Sequence, residues 1–239
     1  MKKNYIDLHT HSVLSKHAYS SFTENLEYAS SIGLKVYGIS EHQPDKKGVG
    51  AHEFAFNTLM RIAPKKYNDT NVLVGVELNI LDGDFDLNFK VENLSYCIAS
   101  MHDYAYDSKT HTSFDNTKNY IHACETPYVT FIGHLDYPAY PCDYEKVVMA
   151  AKKNDKLIEL NNSSLDPNGF RRGARDIDKI IIENCKKYGV PIIMGSDAHI
   201  KYDIGNVDRC IDLLNEQDFP DELIVNFNED LFNKYFKLR

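Results

Sequence analysis

The segment Asp7-Leu8-His9-Thr10-His11 ends the first apolar run of the chain. It shows the pattern that the later runs repeat, in which residues able to bind metals follow a predicted strand. Two histidines separated by one residue at the tip of a strand point to the same face. Neutral imidazoles are among the commonest ligands of zinc, iron and similar ions. Asp7 lies on the same face, and we expect it to accept an N–H group from one of these histidines. A lone His-x-His pair is a weak signal, so the prediction of a metal site depends on the strands that follow.

Short apolar, β-branched runs alternate along the chain with longer amphipathic segments, a pattern typical of parallel βα units. The predicted strands are Tyr5–His9, Lys35–Ser40, Val72–Glu77, Tyr96–Met101, Tyr128–Gly133, Leu157–Asn161 and Pro191–Gly195. The simplest closure of these strands is a parallel barrel forming a single α/β domain over residues 1–239, a usual length for one barrel domain. An open, doubly wound sheet is the structural alternative.

Capping residues mark the boundaries of several predicted helices. Ser21 and Glu24 have the spacing of a capping box. The other predicted boundaries are Asp143 before Tyr144–Lys153, Asn228 before Glu229–Phe236, and Gly33 and Gly189 as helix stops. The stretches 43–53, 103–113 and 163–173 fit the alternation poorly and are predicted to be loops.

Side chains that bind metals recur at the predicted strand ends. The set consists of His9, His11, His17, His42, Glu77, His102, His134, Asp197 and His199, which includes seven of the ten histidines in the chain. Parallel barrels place their chemistry at the carboxyl ends of the strands, so these groups are expected to meet there. They exceed the needs of a single four-coordinate ion and suit two or three ions, with Glu77 as a bridging carboxylate.

The predicted charge of this site indicates the class of substrate. Neutral histidines, two carboxylates and three divalent ions would leave the site positive, which favours an anion such as a phosphate ester. An arginine fork binds phosphate oxygens well, and Arg171, Arg172 and Arg175 all follow the strand that ends at Asn161. We assign the catalytic role to Arg172, with the other two arginines as alternatives.

Composition excludes several classes of protein. With 27 basic and 35 acidic side chains and a net charge of -8, the chain lacks the basic excess typical of nucleic-acid-binding proteins. No apolar run is long enough to span a membrane, and no signal-peptide pattern is visible at the start. Five widely spaced cysteines without a Cys-x-x-Cys pair indicate reduced thiols. We therefore expect a cytoplasmic protein with no nucleic-acid or membrane partner, and a homo-oligomer is compatible with the sequence.

The ordered motifs resemble those of the polymerase-and-histidinol-phosphatase (PHP) superfamily, and most of all its small bacterial phosphatases of the YcdX type. The motifs that carry the resemblance are Asp7-Leu8-His9-Thr10-His11, Glu41-His42, Glu77, His102, Gly133-His134 and Gly195-Ser196-Asp197-Ala198-His199. The resemblance implies a distorted (β/α)7 barrel with a trinuclear site of zinc, manganese or iron. It implies one ion held by His9, His11, Glu77 and Asp197, a second by Glu77, His102 and His134, and a third by His17, His42 and His199.

The function expected from these features is hydrolysis of small phosphate monoesters by a metal-activated water, with Glu77, Asp197 and Arg172 as catalytic residues. Histidinol phosphate phosphatase is the nearest alternative. Amidohydrolases also begin with His-x-His and end with Asp, but no lysine occupies a strand end here to bridge the ions. A non-catalytic metal-binding PHP module is the remaining alternative. Signatures of serine hydrolases, P-loop nucleotide-binding proteins and dinucleotide-binding folds are absent from the sequence.

Overall fold

The computed structural model describes residues 4–238 and contains seven parallel strands arranged as a barrel, with one additional strand at its outer edge. In chain order the strands are β1 (Ile6–Asp7), β2 (Val36–His42), β3 (Lys66–Tyr67), β4 (Thr70–Asn79), β5 (Tyr96–Ser100), β6 (Phe131–Ile132), β7 (Leu157–Asn161) and β8 (Ile192–Gly195). The parallel strands follow the order of the chain, and β3 pairs antiparallel with β4. The distorted seven-stranded barrel is therefore confirmed, and the open sheet is not.

The barrel closes between its first and last strands through a parallel bridge and side-chain hydrogen bonds rather than a ladder. Thr10 and Ala198, just beyond β1 and β8, form a parallel bridge. The His11 N–H donates to the Ala198 carbonyl over 2.9 Å. No ladder pairs β1 with β8 within residues 4–238. We call this contact the seam of the barrel.

Helices follow most strands and begin at residues that cap their free N–H groups. Those in the described chain are α1 (Phe22–Ser31), α2 (Glu53–Ile62), α3 (Ser113–Glu125), α4 (Tyr144–Lys153), α5 (Ala174–Tyr188), α6 (Asp208–Glu216) and α7 (Glu229–Tyr235). The predicted capping box is present, because Ser21 and Glu24 bond each other reciprocally at the start of α1. The predicted caps Asp143 and Asn228 and the helix stop Gly189 are also confirmed.

Two apolar layers support the barrel. Inside it, Leu8, Tyr96 and Phe131 pack together, and the Tyr96 hydroxyl donates to the Leu8 carbonyl over 2.7 Å. Outside it, the helices α3 to α6 cover the sheet with aliphatic residues such as Ile182 and Leu213. The five cysteines are buried and unpaired. No helix among the described residues is long and apolar enough to cross a membrane.

Candidate metal centre

The nine predicted ligands converge at the carboxyl end of the barrel. They are His9, His11, His17, His42, Glu77, His102, His134, Asp197 and His199. Most are buried, whereas His17 and His199 lie at the rim. His134 and Asp197 have backbone φ angles of 25° and 55°, which non-glycine residues adopt only in a few per cent of cases. Unusual backbone conformations of this kind cluster at functional sites.

Glu77, in β4, lies at the centre of the cluster and presents its two carboxylate oxygens to different imidazoles. The nitrogens facing Oε1 are His9 Nε2 at 3.3 Å, His102 Nε2 at 3.2 Å and His134 Nε2 at 3.0 Å. The nitrogens facing Oε2 are His42 Nδ1 at 2.8 Å and His11 Nε2 at 3.4 Å. A carboxylate placed in this way can bridge two cations.

Two further groups of ligand atoms flank Glu77. On one side, Asp197 Oδ1 lies 3.5 Å from His9 Nε2 and 3.3 Å from His11 Nε2. On the other, His17 Nε2 lies 2.8 Å from His199 Nε2 and 3.3 Å from His42 Nε2. All nine predicted residues therefore share one cluster. Which ligand belongs to which ion stays a prediction.

Unpaired polar atoms in the cluster fit bound cations. His9 Nε2, His11 Nε2, His42 Nδ1 and His102 Nε2 are buried and form no hydrogen bond, and neither does Glu77 Oε2. Buried polar atoms without a partner are uncommon in native proteins and call for a specific cause. Imidazole and carboxylate donors together suit divalent zinc, manganese and iron. The residues present therefore fit the metal ions expected from the sequence.

Residues that hold the histidine rings in place were not predicted. Glu159, in β7, accepts from His9 Nδ1 at 2.6 Å and from the backbone N–H of His134 at 2.8 Å. Asn79 Oδ1 lies 2.8 Å from His102 Nδ1. Such partners fix the tautomer so that the opposite ring nitrogen faces a metal. A side chain at position 195 would clash with Glu159 in its observed place, because the Cβ would lie 2.3 Å from Glu159 Oε1.

The expectation that Asp7 supports a histidine ring is wrong. Its carboxylate instead accepts the backbone N–H groups of His9 and Gly205 and the hydroxyl of Ser196, the last over 2.5 Å. Asp7 therefore joins the segments after β1 and β8 through the backbone, and Glu159 holds the ring of His9. Burial raises the pKa of the Asp7 carboxyl to about 6, although these donors oppose the shift.

Charge is unevenly distributed among the clustered groups in the metal-free protein. Burial lowers the pKa of His9, but the carboxylates of Glu159 and Glu77 outweigh it and raise that pKa well above its ordinary value. Burial and the neighbouring His42 lower the pKa of His11 well below its ordinary value. Burial also lowers the pKa of His17 to about 4. Most of the rings are therefore neutral at physiological pH, which is the form that binds metals.

A cavity of about 490 Å³ opens above the cluster, and only one of the three candidate arginines lines it. Arg171 is buried, and its Nη1 donates to Asp197 Oδ2 and Ser164 Oγ, each over 3.1 Å. Arg172 is exposed and outside the cavity lining. Neighbouring side chains of a loop diverge, and a loop has no periodicity that tells which one faces inward. The predicted Arg172 therefore lies outside the cavity, and Arg171 is the candidate arginine that lines it.

The walls of the cavity are largely aromatic. The Arg171 guanidinium lies 4.9 Å from the centre of the Phe170 ring and 5.4 Å from that of Tyr137. Contacts of this kind hold a cation in a fixed orientation. Arg175, the third candidate, pairs instead with Glu216 on the protein surface.

Comparison with known proteins identifies the family of this chain. The PHP domain family matches residues 7–168. The chain belongs to the PHP domain family. A probable phosphatase of Clostridium acetobutylicum is 42% identical over 99% of this PHP protein and 96% of its own length. A probable phosphatase of Caldanaerobacter subterraneus is 40% identical over 97% of this chain and 91% of its own.

A solved structure shares the fold. The histidinol phosphate phosphatase of Lactococcus lactis, in complex with zinc, L-histidinol and phosphate, superposes with a TM-score of 0.64. The alignment covers 91% of this PHP protein and 95% of the other chain at 20% sequence identity. At that level of identity, the likeness establishes a common barrel.

Proposed function

We propose that this PHP protein is a metal-dependent phosphatase that hydrolyses small phosphate monoesters. The observation that carries the proposal is the position of Glu77, whose two oxygens face separate groups of buried imidazole nitrogens. Arg171 lies beside this cluster and supplies a fixed positive charge suited to a phosphate group. Relatives named probable phosphatases, aligned over nearly the whole chain, support the same activity.

The proposed ligand sets are those that the family resemblance implies. The first consists of His9, His11, Glu77 and Asp197, the second of Glu77, His102 and His134, and the third of His17, His42 and His199. We propose zinc, manganese or iron as the bound metals, because imidazole and carboxylate donors suit all three. Nine ligand groups favour three ions over one.

The side chains of the cavity have separable roles in the proposed reaction. Divalent ions, when bound, supply an activated water and positive charge that stabilises the phosphate oxygens. Arg171 donates hydrogen bonds to a phosphate oxygen and limits the orientations open to the substrate. Glu159 keeps the Nδ1 proton of His9 in place, so that Nε2 faces the centre of the site. Tyr137 and Phe170 shield Arg171 from water, which strengthens its attraction for an anion.

The proposal is tested by comparing three classes of bond. Protein purified without chelator and supplied with zinc or manganese is assayed on an aryl phosphate, an aryl phosphodiester and an aryl amide, with histidinol phosphate as a further monoester. We expect the monoesters to turn over fastest, because a dianion is attracted most strongly to a positive site. Elemental analysis should find more than one metal equivalent per chain.

Each alternative gives a different result in this comparison. Faster cleavage of the amide would establish an amidohydrolase. Strong preference for histidinol phosphate over the other monoesters would identify that compound as the substrate. A fully metal-loaded protein without turnover on any substrate would indicate a non-catalytic metal-binding module. Metal content at or below one equivalent after reconstitution would contradict the trinuclear site.

A further inference from the structure

A buried carboxylate next to the cluster contacts no ligand side chain. Glu41 precedes His42 in β2, and its carboxylate instead faces the loop that follows β1. Oε1 accepts from the Ser12 backbone N–H over 3.1 Å and from the Ser12 hydroxyl. Oε2 accepts from the Ser15 backbone N–H over 3.1 Å and from the Ser15 hydroxyl over 2.6 Å. Four donors from one loop thus converge on a single carboxylate.

The same loop carries His17, which belongs to the outermost group of ligands. Ser15 also ties the loop directly to β2, because its Oγ accepts from the His42 backbone N–H over 3.0 Å. Beyond His17, the Tyr19 N–H donates to the His199 carbonyl over 2.7 Å. The loop is therefore fastened on both sides of His17 to the segments that carry His42 and His199.

Apolar packing adds little to the placement of this loop. Val13 and Leu14, between the two serines, are 52% and 39% exposed. Residues of the loop that are buried are mostly its polar ones, Ser12 and Ser15 among them. Hydrogen bonds therefore place the loop, and those to Glu41 act beside the bond of the Lys16 N–H to the Val49 carbonyl over 2.9 Å.

We infer that Glu41 is a positioning residue for the ion held by His17, His42 and His199. This inference rests on the proposed metal-dependent function and assigns Glu41 no contact with metal or substrate. The carboxylate fixes the loop, the loop fixes His17, and His17 then lies within reach of the other two imidazoles. Without the carboxylate, the innermost ligands around Glu77 keep their places, because Glu159 and Asn79 hold them independently.

The test is the metal content of Glu41→Gln. The amide keeps the volume of the side chain but turns one acceptor into a donor, which then faces serine donors. After dialysis against a fixed free concentration of zinc, we expect the content to fall from about three to about two equivalents per chain. His17→Ala should lose the same equivalent. Glu24→Gln is the matched control, because Glu24 accepts the Ser21 N–H and hydroxyl, each over 2.8 Å, at the exposed start of α1.

A second variant covers the case in which Glu41→Gln does not fold. Ser15→Ala removes one donor to Glu41 and the acceptor of the His42 N–H, and it should also lose about one equivalent of zinc. Full zinc content with unchanged affinity in a folded variant would overturn the inference, even if its melting temperature fell, because the carboxylate would then serve the fold alone. Wild-type protein that binds no zinc or manganese would overturn the proposed function instead.

Discussion

Among single residues, Glu77 connects the groups of predicted ligands, because its two carboxylate oxygens face different imidazoles. Glu77→Gln removes one charge and one strong acceptor while nearly preserving volume. We expect both metal content and turnover to fall, with turnover lower by about two orders of magnitude or more, as for the loss of a key electrostatic group. The measurement pairs elemental analysis with the rate at saturating metal. The exposed residue Glu27 on α1 supplies the control Glu27→Gln, which should retain both.

Arg171 and Arg172 form a natural pair for testing how phosphate is held. Arg171→Lys keeps the charge but loses the planar fork and its contacts with Phe170 and Tyr137. We expect kcat/KM for a phosphate monoester to fall by about tenfold to a hundredfold, which corresponds to about 1.4–2.8 kcal/mol. Arg172→Lys should leave it unchanged. Equal losses in the two variants would remove Arg171 from the site.

Sequence reasoning predicted which side chains gather at the end of the barrel but not the residues that orient their rings. Histidines and acids at strand ends are conspicuous, because parallel strands bring their carboxyl ends together whatever the loops do. Glu159 lies within the apolar strand Leu157–Asn161, and its contact with His9 spans 150 residues of sequence. No local pattern reports such a contact, and Asp7 was a plausible substitute only because it is near His9 in sequence.

At the scale of elements, a buried lysine holds the end of α3 to the start of β7. Lys156 Nζ donates to the Thr126 carbonyl over 3.0 Å and to the Pro127 carbonyl over 3.3 Å, and also to that of Val129. Lys156→Met removes the lysine donor from all three carbonyls, of which that of Thr126 keeps the Val129 N–H over 3.2 Å, and should cost about 2 kcal/mol of stability. Urea unfolding of the metal-free protein measures the loss. Lys153→Met, at an exposed position of α4, is the control.

The same lysine gives the stability a dependence on pH. Burial lowers the pKa of Lys156 from its ordinary value of 10.5. Between that lowered pKa and 10.5 the unfolded chain therefore binds more protons than the native protein, and the free energy of unfolding should rise with pH over this interval. The slope should be smaller in Lys156→Met. An identical slope in the variant would show that other groups produce it.

The positions of the strands were predictable where their buried residues form a continuous apolar run in the sequence. Leu157–Asn161 has the predicted bounds. β2 runs two residues past its predicted end to His42, which pairs with Glu77, and β4 runs two residues past its predicted end to Asn79, which pairs with Ser100. β6 is reduced to Phe131–Ile132, since the backbone turns at His134 to place its ring. β3 was missed because both of its residues are exposed and give no apolar signal.

The whole barrel should remain folded without metal but lose stability. Its interior and its helical layer are apolar and independent of the ligands, so circular dichroism should keep its helical signal after chelation. Ions present at about a thousand times their dissociation constant stabilise a protein by about 4 kcal/mol. The melting temperature should fall accordingly on treatment with EDTA and recover with zinc. Complete unfolding by EDTA would show that the apolar layers do not suffice.

The seam between the first and last strands has a consequence for how the protein is made. His9 and His11 leave the ribosome long before Asp197 and His199, which follow β8 in the chain. The two pairs meet where the first and last strands join, with Asp197 Oδ1 3.5 Å from His9 Nε2 and 3.3 Å from His11 Nε2. No nascent chain that lacks β8 can assemble the complete ligand set, however much of the barrel has already formed. For the proposed metal site, full loading must therefore wait until the segment after β8 has been synthesised.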